Sequence, residues 1–164
     1  MTGPTVDSGR GGAGQASKEL EGATEWNLDQ HQEILDKAAA LERTLEAAVG
    51  TEAEYVENVA GQLEALTKTL EHHFAHEDTS ALYTTFVERF PRFSTALARL
   101  GREHQEILKE VRALASGFST RPGSKNLRKL KSRLKVFIAV IRRHEAEEDE
   151  IWQRACSEDI GGDE

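Results

Sequence analysis

Aromatic residues, prolines and sulphur-containing residues are scarce in this chain. Only 6% of its 164 residues are aromatic, and it contains three prolines, one cysteine and one methionine. Few aromatic residues argue against a β-sheet protein, and few prolines leave long helices uninterrupted. The single cysteine, Cys156, excludes an internal disulfide and a thiolate cluster, so any metal would need histidine and carboxylate ligands.

The chain also lacks an excess of positive charge and a long apolar run. It has 29 acidic and 21 basic residues and a formal net charge of −8. This charge argues against binding to nucleic acid or to anionic membranes, because both interactions depend on Lys and Arg. The N-terminus has no apolar core typical of a signal peptide, and no apolar run reaches membrane-spanning length. We therefore expect a cytoplasmic protein that binds neither nucleic acid nor membranes.

Composition and length favour one all-α domain, since the chain is rich in Ala, Leu and Glu. Residues 1–23 are rich in Gly and Ser without an apolar period, which predicts a disordered tail. We expect a helical domain over residues 24–157 and a short acidic tail over residues 158–164.

Apolar residues at steps of three and four predict four long helices in this domain. The first carries Leu28, His31, Leu35, Ala38, Leu41 and Leu45 on one stripe. The second begins after Thr51, a candidate N-cap with Glu54 three positions on, and runs to about Phe90, with an irregularity near residues 78–80. The third and fourth are separated by the loop GFSTRPGS. Short loops predict an up-down-up-down antiparallel four-helix bundle.

An internal repeat places histidines at matching points of the two halves. HQEIL occurs at residues 31–35 and again at residues 104–108, and HFAHEDTSALY from His73 resembles HEAEEDEIWQR from His144. Two copies of one helical hairpin, paired about a pseudo-twofold axis, predict a symmetric site.

The helical period identifies which of these polar side chains face the core. His73 and Glu77 lie about 40° apart on the apolar face of the second helix, and His144 and Glu148 do so on the fourth. His72 and Asp78 are predicted to meet solvent or the flank of the second helix, and Asp149 is predicted to point away from the core. His76 lies about 60° from His73, where it could reach the surroundings of the site or its entrance.

The predicted centre combines His31, His73, His104 and His144 with Glu77 and Glu148. Burying these groups without partners would cost several kcal/mol per charge, roughly, whereas metal ions would compensate them. Two divalent cations with two histidines each, bridged by the two glutamates, satisfy the set. Imidazole and carboxylate ligands suit iron, with manganese or zinc as alternatives.

With these residues the chain resembles the hemerythrin-like, or HHE cation-binding, domains over about residues 24–156. The resemblance implies a four-helix bundle around an oxo- or hydroxo-bridged pair of iron ions that binds oxygen-derived ligands. Oxygen-carrying hemerythrins have a further histidine where this chain has Leu108, and a His-x-x-x-x-Asp spacing that Asp149 would satisfy. The chain is closer to the subset with four histidines and two glutamates.

Three functions follow from this interpretation. The first is a non-haem di-iron protein that binds or senses dioxygen or a related small ligand, and a sensor would signal through a protein partner or through its flexible ends. The second is a di-iron oxidoreductase acting on peroxide, nitric oxide or Fe(II), or a protein of iron handling or repair in stress. The third is a metal-free helical interaction module, which the buried charges disfavour.

Overall fold

The computed structural model describes residues 11–47 and 50–160, and over these residues the chain is all-helical, without a β-strand. The five α-helices are α1 (Gly11–Glu46), α2 (Glu52–Thr79), α3 (Ala81–Arg89), α4 (Ser94–Ser119) and α5 (Ser124–Ile160). A 3-10 turn, Pro91–Phe93, connects α3 to α4. Each of the four long helices packs against two others, in the order α1, α2, α4, α5 and back to α1.

Helix α1 begins at Gly11, inside the segment 1–23 for which the sequence predicts a disordered tail. Residues 11–23 are helical in the structure, and residues 1–10 lie outside the described part of the chain. The prediction gave most weight to glycine, whereas Ala, Gln, Lys, Glu and Leu between residues 13 and 21 favour a helix. At the other end α5 extends to Ile160, and residues 161–164 of the predicted acidic tail lie outside the described residues.

The apolar stripe of α1 is rotated from the predicted one. Ile34, Ala38 and Leu41 are fully buried, but Leu28 is 45% exposed and Leu35 is only half-buried. On the helical wheel Ile34 and Leu41 lie about 60° to 80° to one side of His31, while Leu28 and Leu35 lie about 40° to 60° to the other. The core is on the first side, so the prediction was wrong for Leu28.

The second predicted helix is divided at the expected irregularity. Helix α2 starts with a capping box in which Thr51 and Glu54 exchange hydrogen bonds, as predicted from their spacing. It ends at Thr79, because Ser80 adopts an extended conformation with ψ of 131°. Helix α3 follows and ends before Pro91, which opens the 3-10 turn.

Two apolar clusters fill the interior and leave a polar layer between them. The larger cluster takes the stripes of all four long helices on one side of the histidines, for example Leu41, Leu66, Val111 and Leu134. The smaller cluster joins Phe86 of α3 to Trp152 of α5 on the other side, along with Phe90, Leu97, Leu100, Ile151 and Ala155. All four long helices pass through the layer between the clusters.

Candidate metal centre

The six predicted side chains lie together in this polar layer. None is more than 6% exposed: His31, His73, Glu77, His104, His144 and Glu148. Each long helix contributes at least one of them: the ring of His31 lies 4.9 Å from that of His73, and the ring of His104 lies 5.1 Å from that of His144. The sequence repeat therefore does bring both halves of the motif to one place.

Glu148 lies between the two pairs of histidines. Its Oε2 is 3.3 Å from Nε2 of His31, and its Oε1 is 3.4 Å from Nε2 of both His104 and His144. Each oxygen of one carboxylate thus faces a different part of the cluster.

Glu77 has the same relation to the histidines from the opposite helix. Its Oε1 is 3.4 Å from Nε2 of His73 and 4.0 Å from Nε2 of His31, and its Oε2 is 3.4 Å from Nε2 of His104. Two donor atoms that share one ion at about 2.1 Å are roughly 3.0 to 3.4 Å apart, depending on the angle between them. The spacing between the imidazole and carboxylate donors is therefore suited to a metal.

Three of the histidines are held from outside by carboxylates. Nδ1 of His31 donates to Asp149 at 2.7 Å, Nδ1 of His104 to Asp78 at 3.2 Å, and Nδ1 of His144 to Glu103 at 3.3 Å. A proton fixed on Nδ1 leaves the lone pair of Nε2 directed inward, as metal-binding histidines require.

The flank position predicted for Asp78 is confirmed, whereas Asp149, predicted to point away, contacts His31. Asp78 is 44% exposed and Asp149 is 28% exposed, yet both contact a histidine of a neighbouring helix. The wheel places each aspartate away from the centre of its own helix's apolar face, but this flank is where the next helix packs. Glu103, which immediately precedes His104, was not identified from the sequence for the same reason.

His72 and His76 are exposed and do not join the centre. The ring of His76 lies over that of Trp26, with centroids 3.9 Å apart, and Trp26 in turn stacks on His73 at 5.8 Å. His76 thus supports the indole that covers one histidine of the centre.

The layer contains a further carboxylate, Glu145, that the sequence pattern does not predict. Glu145 of α5 is 1% exposed, and its Oε2 is 3.4 Å from Nε2 of His31. Donor atoms of His31, His73, Glu145 and Glu148 all lie within 4.8 Å of one another, as do those of His104, His144 and Glu148. Being adjacent to His144, Glu145 is about 100° from it on the wheel, so the apolar stripe did not reveal it.

Several inward-facing donor atoms have no hydrogen-bond partner among the described residues. They include Nε2 of His31, His73 and His144, together with Oε2 of Glu77 and Glu148. Unpaired buried polar atoms are rare and costly in a marginally stable fold. Their convergence on one space fits a bound cation.

Without a metal, the buried groups must share protons. Burial disfavours a charged His31, but its contacts with Glu148 and Glu77 and the charge of Glu145 raise the pKa of His31 to about 11. Burial, reinforced by the charge on His31, lowers the pKa of His73 to about 3. Burial raises the pKa of Glu145 to about 8. Burial also disfavours a charge on Glu148, but its close contacts with the imidazoles of His104, His144 and His31 outweigh burial and hold the pKa of Glu148 well below its usual range. A metal would therefore displace protons from the centre.

An all-helical fold and a buried layer of histidines and glutamates define a metal-binding helical protein. The family model described as the hemerythrin HHE cation-binding domain matches residues 23–156, and the chain belongs to this family. None of the curated proteins and none of the solved structures compared with the chain gives a match. Within the described residues, no helix has the length and apolar character needed to cross a membrane.

Proposed function

We propose that the protein binds two iron ions in the polar layer. His31 and His73 would hold one ion, His104 and His144 would hold the other, and Glu77 and Glu148 would bridge them. The observation that carries this proposal is the position of the bridging carboxylates: Glu148 directs one oxygen to His31 and the other to His104 and His144.

We also propose that neighbouring long helices run in opposite directions. As residue numbers rise along α2 from Glu71 to Asp78, their partners on α4 fall from Arg112 to His104. The α4 and α5 pair shows the same inverse order, since Glu110 pairs with Arg133 and Glu103 with Arg143. These contacts support an up-down-up-down bundle.

The donor set favours iron over the alternatives, manganese and zinc. Histidine and carboxylate donors without thiolate are typical of non-haem iron sites. Iron would supply reversible electron transfer to a small ligand. We propose that this ligand is dioxygen or a related molecule, which the protein binds or senses.

The alternative function is a di-iron oxidoreductase acting on peroxide, which would need a proton donor near the ions. Tyr83 of α3 lies near enough to the carboxylates that burial and the charges of Glu148, Glu77 and Asp78 raise its pKa. The charges that raise this pKa make the phenol a weaker acid, so Tyr83 would donate a hydrogen bond to an oxygen ligand rather than transfer its proton, which suits a binding protein.

Anaerobic reconstitution with Fe(II) tests the proposal. We expect about two irons per chain, and an oxo-bridge charge-transfer band after air is admitted. Glu77→Leu and Glu148→Leu are expected to lose bound iron, while the exposed Glu150→Leu retains it. No specific iron in the wild type would contradict the proposal. Consumption of peroxide with a reductant present separates the oxidoreductase from the binding protein.

A further inference from the structure

The two halves of the repeat differ at one position inside the centre. His73 is followed by Phe74, whereas His144 at the matching point is followed by Glu145. The neighbouring pairs agree: Glu77 matches Glu148, and the aspartate that follows each of them holds a histidine of the other half. The halves also differ outside the centre, because Glu103 holds Nδ1 of His144 whereas Nδ1 of His73 has no partner among the described residues. Among the side chains that face the centre, the departure from symmetry is at Phe74 and Glu145.

Glu145 is buried without a hydrogen-bond donor among the described residues. Its side chain is 1% exposed, and neither of its oxygens accepts a hydrogen bond from a described residue. Its Oε2 is 3.4 Å from Nε2 of His31, on the side of the cluster that also contains His73. A carboxylate in this situation costs free energy unless a cation binds it.

Phe74, at the matching position, has an apolar ring in place of a carboxylate. Its ring lies parallel to that of His104, with centroids 3.9 Å apart and planes tilted by 6°, and it meets His144 edge-on at 5.6 Å. The ring is also 5.6 Å from that of His73, but its parallel stacking is on His104, so a buried apolar ring covers His104 where a carboxylate lies beside His31.

We infer that Glu145 is a seventh metal ligand, belonging to the ion held by His31 and His73, and that a small exogenous ligand binds instead at the ion held by His104 and His144. This inference rests on the proposed di-iron function. It makes the two metal positions unequal, although the six ligands predicted from the repeat are symmetric.

Charge balance supports the extra carboxylate. Two divalent cations have an excess of two positive charges over the buried carboxylates Glu77 and Glu148, because the outer carboxylates Asp149, Asp78 and Glu103 are partly exposed and screened by water. Ionised Glu145 leaves one, which a single hydroxide would compensate, and a buried charge without a counterion is strongly unfavourable.

The test compares the iron-loaded wild type with Glu145→Gln and Glu145→Leu, using Glu150→Gln as the control. Glu150 lies on the same helix but is exposed and pairs only with Arg154 among the described residues. Loss of an outer partner of a metal ligand weakens binding about 10- to 100-fold, and a lost ligand should cost no less. We expect both Glu145 variants to release one of the two irons at least about 10-fold faster to a chelator. Glu150→Gln should match the wild type.

Mössbauer spectra locate the effect. The wild type should give two unequal iron doublets, of which Glu145→Gln changes one, and azide should shift the other. The metal-free variants should be at least as heat-stable as the metal-free wild type, because they remove a buried carboxylate without a hydrogen bond.

The outcomes separate this inference from the proposed function. Two irons in the wild type, with unchanged release and spectra in Glu145→Gln, would overturn the inference and leave the di-iron proposal standing. An azide shift of the doublet that depends on Glu145, or loss of helical structure in both metal-free variants, would also overturn it. Failure of the wild type to bind iron would overturn both.

Discussion

The aspartates that follow Glu77 and Glu148, the two proposed bridging glutamates, act as orienting groups for histidines on other helices. Asp149 reaches Nδ1 of His31, and Asp78 reaches Nδ1 of His104, so each half of the repeat supports the other. Such outer partners fix the ring and raise its basicity toward a metal. Their partial exposure does not reduce this role, because the histidine that each one contacts is buried.

Replacing either aspartate should weaken metal binding without removing a proposed ligand. We expect Asp149→Ala and Asp78→Ala each to lower metal affinity about 10- to 100-fold. Competition with a chelator of known affinity measures this loss, and Glu150→Ala, at an exposed position of the same helix as Asp149, serves as the control. Unchanged affinity in both aspartate variants would show that the histidines are held by packing alone.

How far the sequence predicts the centre depends on the face each residue occupies. The six residues on apolar stripes were identified because each stripe marks the inward face of its own helix. Glu145 and Asp149 lie on the flank of α5 that packs against α1, and nothing in the period of α5 shows which neighbour will meet that flank. One signal was available: the repeat aligns Glu145 with Phe74, an apolar residue, which implies a buried position.

At the scale of the helices, capping residues and prolines predicted where a helix begins or ends more reliably than the apolar pattern predicted which face is buried. Thr51, Glu54 and Pro91 marked the boundaries where the structure has them. The rotation of α1, which exposes Leu28 and buries Ile34, depends on how α1 contacts α2 and α5, and a single helix period does not contain that information. The start of α1 at Gly11 similarly reflects continuation of a helix that the bundle already stabilises.

The capping box of α2 gives a prediction at this scale. The Thr51 hydroxyl accepts from the Glu54 backbone amide at 3.2 Å, and the Glu54 carboxylate accepts from the Thr51 amide at 2.8 Å. Thr51→Ala should lower the free energy of unfolding by about 1 kcal/mol, whereas Thr51→Ser should retain nearly all of it. Urea denaturation of the metal-free protein measures both. Equal losses in the two variants would mean that the threonine methyl, rather than its hydroxyl, stabilises this end.

At the scale of the whole molecule, the metal centre divides the interior into two separate apolar clusters. A buried layer of ionisable groups lies where a bundle of this size would otherwise have continuous core. The metal-free fold therefore has less apolar stabilisation than its length suggests, and its stability depends on which groups in the layer carry protons.

This dependence has a definite sign between pH 6.5 and 8. Burial opposes the proton on His31, but its carboxylate neighbours raise its pKa from 6.5 to about 11, and burial raises that of Glu145 from 4.5 to about 8. Between pH 6.5 and 8 the folded protein keeps protons that the unfolded chain has largely released, so stability should fall as pH rises. His73, with a pKa lowered to about 3, has the opposite effect, but mainly below pH 6.5.

Urea unfolding of the metal-free protein at pH 6.5 and at pH 8 measures this change. We expect a lower free energy of unfolding at pH 8, a smaller decrease in Glu145→Gln, and a decrease of wild-type size in Glu150→Gln. Metal loading should remove the decrease, because ligation replaces the protons on His31 and Glu145, and it should release protons to the buffer. A stability that rises with pH in the metal-free wild type would mean that the buried carboxylates do not hold a proton on His31. In that case the charges of the layer would have to be balanced in another way before any metal binds.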